Sequence, residues 1–458
     1  MQRENWGSKF GFIMAASGSA VGLGNIWRFP YITGENGGGA FVFVYLLSVV
    51  LIGAPLLFNE MALGRHTQKN PIGAFSKTGS NAFWMLGAIL SMSVSFFVMS
   101  YYGVIAGWTI GYIYASLAGI QMNFSEFIAN PWIVLPLFAL FMLITLVIVK
   151  GGIAQGIEKA SKLLMPILFI LILLVIIRSV TLPGAMEGIV YYLKPDFSKI
   201  NGGVVLAAIG QAFFSMSIGW GIMITYGSYL SRNENIISSG FWVGLTDSAV
   251  ALLAGLMIFP AVFAFGKAPA AGPTLVFQIL PDIFNSMPAG GNIIGAIFFL
   301  LLCIAALTSA ISIVEVPVSY LIDEKGYSRN KSTWIMTILI FIVGIPSALS
   351  SGGNEFFTKI SVNLFGTVYT GFLDIMDFIF GTFIIVLASL MVAVYTIWVY
   401  GKSKMVEELE QGSSWFGRPL IGRMTPAALW VFFIKYICPA LIIIVLLNMV
   451  GVFGDTFA

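Results

Sequence analysis

The sequence predicts an all-α polytopic membrane protein of about eleven transmembrane helices, and three observations carry that prediction. Of its 458 residues, 58% are hydrophobic and only 9% are charged, with a mean hydropathy of +0.94; a soluble domain carries about 25% charged residues. The apolar residues gather in runs of roughly 20 or more, the length that crosses a hydrocarbon core. Two of those runs contain clusters of glycine and serine, where a plain spanning helix would have none.

Taken in order, the runs lie near 8–33, 39–64, 83–119, 131–149, 160–180, 203–230, 237–265, 291–322, 332–350, 370–400 and 426–453. They are numbered here as spans 1 to 11. The segment 267–290 is too broken by proline and glycine to cross; it reads as a long loop with short helices lying over one face. Length alone would suit two or three soluble domains, but a polytopic bundle forms one unit. The expected organisation is a single domain over 1–458, with 8–180 and 203–400 as two repeats and 426–453 as an additional helix. The net charge of +3 is scattered between apolar segments and points to no nucleic-acid partner. Cys303 and Cys438 both sit in apolar runs, which argues against a disulfide framework. The first apolar stretch is long and lacks a small-residue cleavage site, so no cleavable signal peptide is expected.

Lys and Arg favour cytoplasmic loops. With the N-terminus inside, the inner segments hold most of them, among them Arg3, Lys9, Arg65, Lys150, Arg232, Lys325, Arg329, Lys402, Arg418 and Arg423. The outer loops hold only Arg178, Lys194, Lys199, Lys267 and Lys359, while Arg28 and Lys435 fall within spans. This bias places the protein in a cell membrane with its N-terminus cytoplasmic, and an odd number of spans then puts the C-terminus outside.

The two glycine–serine clusters are SGSAVGLGN (17–25) in span 1 and SMSIGWG (215–221) in span 6. Irregular backbone at membrane depth leaves amides and carbonyls without partners, at several kcal/mol for each, unless it faces protein, a cavity or an ion. Glycines at a tight helix crossing would explain one cluster. Two clusters at corresponding places in successive five-span repeats instead mark a transporter binding site. Free amides and a positive half-helix end can hold a carboxylate, and free carbonyls can coordinate Na⁺ or accept from an ammonium group. The pattern Gly18-x-x-x-Gly22-x-Gly24 is no phosphate loop, since no strand precedes it and no Lys-Ser/Thr closes it.

Several long motifs in order carry a resemblance across nearly the whole chain: RENWGSKFGFIMAASGSAVGLGNIWRFPY, ENGGGAFVFVYLL, GAPLLFNEMALGR, GQAFFSMSIGWGIMITYGSYL, AALTSAISIVE and DIMDF. The chain resembles bacterial members of the neurotransmitter:sodium symporter family. The resemblance implies two inverted five-helix repeats with broken helices 1 and 6, and uptake of a small amine or amino acid driven by sodium.

It also implies two sodium sites. The first would use the Ala20 carbonyl, Asn25, Ser215 and Asp247 together with the substrate carboxylate. The second would use the carbonyls of Gly18, Val21 and Ala305 with the hydroxyls of Thr308 and Ser309. Oxygen-only ligand sets suit a hard cation. The substrate carboxylate would meet the amides of Leu23 and Gly24 and the Tyr102 hydroxyl; its ammonium would meet the carbonyls of Ala20, Phe214 and Ser215 and the Ser217 hydroxyl. Val98, Phe214, Trp220, Ser309 and Ile313 would line the side-chain pocket. Arg28 and Asp377 suit an outer gate, and Arg3 with Asp323, beside Trp6 and Tyr229, an inner latch. Glu60 and Glu315 also lie in or near spans, where ionisable groups are functional by default, but neither receives a role.

Three departures from the animal carriers shape the expected substrate. Gly22 stands where monoamine carriers have an aspartate, which favours an α-amino acid that brings its own carboxylate. Asp247 replaces the usual asparagine, so a fixed carboxylate can stand in for chloride. The chain stops after eleven spans where many relatives have a twelfth. With apolar walls, the expected cargo is a neutral, hydrophobic L-α-amino acid. A proton-coupled or exchange-type transporter on the same fold is the alternative reading; a channel or receptor would not need paired broken helices and opposed gates. No enzyme is expected, and the sole histidine, His66, has no metal-ligand partners nearby in sequence.

Overall fold

In hydrocarbon every backbone N–H and C=O must be satisfied within its own segment, so apolar runs of this length become helices. The structure, a computed structural model, describes residues 3–269, 274–287, 290–419, 422 and 424–453. Among them nine helices are long and apolar enough to cross a membrane: Gly39–Thr67, Ala82–Ala118, Pro131–Lys150, Ile153–Val180, Ile236–Ala264, Gly291–Lys325, Arg329–Leu349, Phe372–Glu410 and Pro426–Met449. A tenth crossing is a bent pair, Lys9–Ala20 and Gly24–Glu35, whose halves meet at 47°. The remaining expected span, the sixth, is split into Gly202–Ser215 and the six-residue helix Ile222–Gly227. Neither half is long enough to cross alone. Every expected run is thus helical: nine described helices cross continuously, one crossing is bent, and the sixth run is split into two short halves.

Short polar side chains set where several helices begin. Ser8, Asn81, Asn201, Asn235 and Thr425 each cap an N-terminus by accepting from a backbone amide two or three residues into the helix, worth about 1 kcal/mol apiece. Several helices outrun the apolar runs. Span 5 begins at Ile153 with a π-helical turn, span 8 continues to Lys325 and span 10 to Glu410. Hydropathy ends a span where charge begins, whereas a helix continues as long as its backbone ladder is satisfied.

The most extensive helix–helix contact joins Ala82–Ala118 to Gly291–Lys325, and the first half of span 1, Lys9–Ala20, packs on spans 5, 7 and 8. Small residues permit the closest approaches. At Gly64 an added Cβ would lie 2.0 Å from the Ile224 carbonyl oxygen, so only glycine lets span 2 seat against the short helix of span 6.

The loop expected over 267–290 does carry short helices, Leu275–Ile279 and Leu280–Ser286. Residues 270–273 and 288–289 of that segment, and Arg423 of the basic inner set, lie outside the described residues. Phe277 is buried among Trp108, Tyr112 and Phe124, and its carbonyl accepts from the Tyr112 hydroxyl at 2.6 Å. Between spans 9 and 10 the chain forms an antiparallel hairpin, Ser361–Leu364 with Thr367–Thr370, in register Ser361↔Thr370 to Leu364↔Thr367. Phe365 and Gly366 both have positive φ, the geometry of a two-residue type I′ turn. Hydropathy carries no signal for so short a strand pair.

Candidate functional site

The site grows from the two interruptions. In span 1 the helix ends at Ala20, Val21 turns extended (ψ 103°), and a π-helical turn begins at Gly24. The Asn25 side chain holds this break, its Oδ1 accepting from the Gly22 amide at 3.2 Å. In span 6 the chain takes positive φ at Ser217, Gly219 and Gly221. Glycine adopts that region freely; Ser217 is held there with its hydroxyl donating to the Ser19 carbonyl at 3.2 Å. The Gly219 amide donates to Glu60 Oε1 at 2.7 Å, so the buried Glu60, which sequence reading left without a role, braces the break in span 6.

Around the breaks the residues fall into three groups. The first surrounds Asp247, which is fully buried. Asn25 Nδ2 donates to its Oδ1 at 2.7 Å and to its backbone carbonyl at 3.1 Å, and the Ser215 hydroxyl lies 2.8 and 2.9 Å from the two carboxylate oxygens. Tyr45, on span 2, adds its hydroxyl at 3.3 Å from Oδ2 and 3.1 Å from Ser215 Oγ. Sequence reading missed Tyr45; the surrounding ENGGGAFVFVYLL stretch offers nothing that separates it from a packing aromatic. Among the described residues Asp247 forms no ion pair.

In the second group, Thr308 Oγ1 lies 3.0 Å from the Ala305 carbonyl and 3.5 Å from that of Val21. Ser309 Oγ is 3.4, 3.0 and 3.2 Å from the carbonyls of Gly18, Ser19 and Val21. All five residues expected at the second ion site therefore converge, and the Ser19 carbonyl joins them. Such an array of oxygens with no nitrogen or sulfur suits a hard cation.

The third group encloses a small cavity lined by Ala20, Leu23, Gly24, Tyr102, Phe214, Ser217, Trp220, Ser309 and Ile313, with Ser19 and Gly22 in addition. The Leu23 amide donates to the Tyr102 hydroxyl at 3.3 Å. The space a water centre can reach is ≈ 20 Å³, so these walls close tightly on each other. Val98 is buried but does not line the cavity, and Ser215 faces Asp247 instead. Phe214 meets Trp220 edge-on at 5.5 Å, and the Arg28 guanidinium lies over the Phe214 ring at 4.5 Å.

The two ends differ. At one, Arg3 pairs with Asp323 at 2.6 Å, lies over Tyr229 at 4.6 Å and donates to the Ser228 carbonyl at 3.1 Å. Trp6 donates from its indole to the Tyr226 carbonyl at 3.1 Å and from its amide to that of Tyr229 at 3.3 Å. Beside them the Tyr229 hydroxyl donates to Glu315, which pairs with Arg329, which also pairs with Glu4. This second chain of charges, which gives Glu315 a place, was not foreseen. At the other end Arg28 and Asp377 do not form the expected ion pair: Asp377 accepts from the Tyr101 hydroxyl at 2.8 Å, and Arg28 turns its charge onto Phe214. The cation–π contact and the tyrosine each satisfy one partner, leaving the pair apart.

A bundle of apolar helices in which two interrupted helices turn free backbone groups toward one cavity, with a charged latch closed at one end, defines a secondary transporter of the broken-helix class. The family model for the sodium:neurotransmitter symporter family matches residues 3–122 and 123–456. The chain belongs to that family; it is a sodium-coupled transporter of the membrane and not an enzyme. It is 40% identical to the sodium-dependent transporter YhdH of Bacillus subtilis over 98% of both chains, and 36% identical to a sodium-dependent transporter of Haemophilus influenzae, again over 98% of both. The sodium-dependent serotonin transporter of Drosophila melanogaster is 29% identical, over 89% of this chain and 72% of its own. Among solved structures, the crystal structure of MhsT in complex with L-phenylalanine matches with a TM-score of 0.87 and 40% identity, covering 98% of this chain and all of that one.

Proposed function

We propose that the protein imports a neutral, hydrophobic L-α-amino acid together with two sodium ions, by alternating access and without chloride. The observation that carries this reading is the set of groups around the cavity. The Leu23 and Gly24 segment and the Tyr102 hydroxyl stand ready for a carboxylate, carbonyls and Ser217 for an ammonium, and apolar Phe214, Trp220 and Ile313 for the side chain. Gly22 leaves no protein carboxylate in the cavity, so the cargo supplies its own. MhsT, the structural relative, binds L-phenylalanine in its crystal, which agrees with an apolar amino acid here.

In this reading one sodium ion takes Asn25, Ser215, Asp247 and the Ala20 carbonyl, and joins the substrate carboxylate. The other takes Gly18, Val21, Ala305, Thr308 and Ser309 and ties span 1 to span 8. A carboxylate at about 4 Å attracts a sodium ion by about 4 kcal/mol at an effective dielectric near 20, which is the work chloride would otherwise do. On the empty return step Asp247 takes up a proton, giving proton counter-movement. Eleven spans arranged as repeats 8–180 and 203–400 plus 426–453 set the N-terminus in the cytoplasm and the C-terminus outside. The Arg3–Asp323 end then faces the cytoplasm, latched, while Arg28 and Asp377 face outward and stand apart.

The test is binding of the twenty amino acids to the purified protein, with and without Na⁺. Sodium-dependent binding of apolar amino acids is expected. Sodium-independent binding, or preference for charged or non-amino-acid amines, would overturn the reading.

A further inference from the structure

Spans 10 and 11 leave a cleft between them that the transport cycle does not use. Its volume is ≈ 550 Å³, and it is lined by Lys402, Glu407 and Glu410 from the end of span 10 and by Val431, Phe432 and Lys435 from the start of span 11. Three features place it at the membrane interface. The apolar helix of span 10 gives way at Gly401 to the polar stretch Lys402–Glu410. Trp398 and Tyr436, both exposed, flank the cleft, as aromatic residues do at headgroup level. Lys435 lies within a span yet keeps its ammonium over the rings of Trp398 and Tyr436, at 4.3 and 5.0 Å, while Trp398 Nε1 donates to its carbonyl at 3.2 Å. A lysine held this way sends its charge toward the polar zone along an apolar wall.

Among the described residues neither Lys402, Lys435, Glu407 nor Glu410 takes part in an ion pair. The cleft thus offers two ammonium groups and two carboxylates, beside an exposed apolar surface of Phe432 and the partly buried Val431. Basic pockets between spanning helices bind lipid headgroups, but an anionic headgroup would meet the two carboxylates unfavourably. We propose that this cleft binds a zwitterionic aminophospholipid, its phosphate against Lys402 and Lys435, its primary ammonium toward Glu407 and Glu410, and an acyl chain along Val431 and Phe432. A quaternary ammonium has no N–H to donate to the carboxylates, and a glycerol headgroup has no positive charge. The cleft therefore selects phosphatidylethanolamine over phosphatidylcholine and phosphatidylglycerol.

The experiment uses the full-length protein in detergent, offered equal amounts of the three lipids with identical acyl chains, with retained adducts read by native mass spectrometry. Phosphatidylethanolamine should be retained at least fivefold over the other two. The double variants Lys402→Gln/Lys435→Gln and Glu407→Gln/Glu410→Gln should each lose that preference while keeping sodium-dependent substrate binding, which reports that they are folded. Equal retention of all three lipids by the wild type means adventitious lipid only and overturns the proposal. So does a preference for phosphatidylglycerol, a selectivity that survives in both variants, or a second copy of the chain that covers the cleft and excludes all three.

Discussion

The Tyr45 hydroxyl lies 3.3 Å from Asp247 Oδ2 and 3.1 Å from Ser215 Oγ, so span 2 completes the hydrogen-bond shell of a carboxylate on span 7. A hydrogen bond to a charged group is worth about 1.5–3 kcal/mol, and at a pH high enough to keep Asp247 ionised it counts most when no cation is present. Tyr45→Phe should therefore destabilise the sodium-free protein more than the sodium-loaded one. If the difference is about 1 kcal/mol, half-saturation by sodium falls by about fivefold. Sodium titration of thermal unfolding checks this; an unchanged midpoint would leave Tyr45 a packing residue.

Thr308 and Ser309 supply the side-chain oxygens of the second ion site. Replacing both with Ala should abolish sodium-driven uptake in proteoliposomes while the protein remains inserted and monodisperse. Normal uptake by that variant would remove the ion from this position.

Asp247 sits in a low-dielectric site with no countercharge among the described residues. Wild-type uptake should persist when gluconate replaces chloride. Asp247→Asn should be impaired or become anion-sensitive, because the fixed charge is gone. Collapse of wild-type uptake in chloride-free medium would end the charge-substitution argument.

Gly22 leaves no room for a side chain beside the cavity. A Cβ there would lie 2.3 Å from Ser309 Oγ and 3.0 Å from the Tyr102 hydroxyl, and Ser309 is held against the Ser19 carbonyl at 3.0 Å. Overpacking costs about 1–3 kcal/mol, so Gly22→Ala should weaken substrate binding on the order of ten- to a hundredfold. Equilibrium binding on the folded variant measures it, and affinity within about twofold of wild type would contradict this geometry.

Asp377 accepts from Tyr101 while Arg28 rests on Phe214 above the cavity. A gate that closes after docking makes its contacts late, so Asp377→Asn should lower turnover much more than equilibrium binding, by about tenfold against less than threefold. Equal effects on both would make the carboxylate a structural partner of Tyr101.

Hydropathy and glycine placement are local properties, and what depends on them was legible. The spans and the two interruptions at 17–25 and 215–221 could be read along the chain, whereas Thr308 and Ser309 came only with the family resemblance carried by AALTSAISIVE. Each helix in hydrocarbon satisfies its own backbone, so its existence needs no distant partner. The rest is long-range. Tyr45 meets Asp247 across 202 residues and Tyr229 meets Glu315 across 86. Glu60 finds the Gly219 amide 159 residues away, and Arg28 chooses a ring over Asp377. Nothing in a local window distinguishes a tyrosine that packs from one that donates to a buried carboxylate. Which pairs form is decided when helices cross, because a hydrogen bond depends on a few tenths of an ångström that only packing sets.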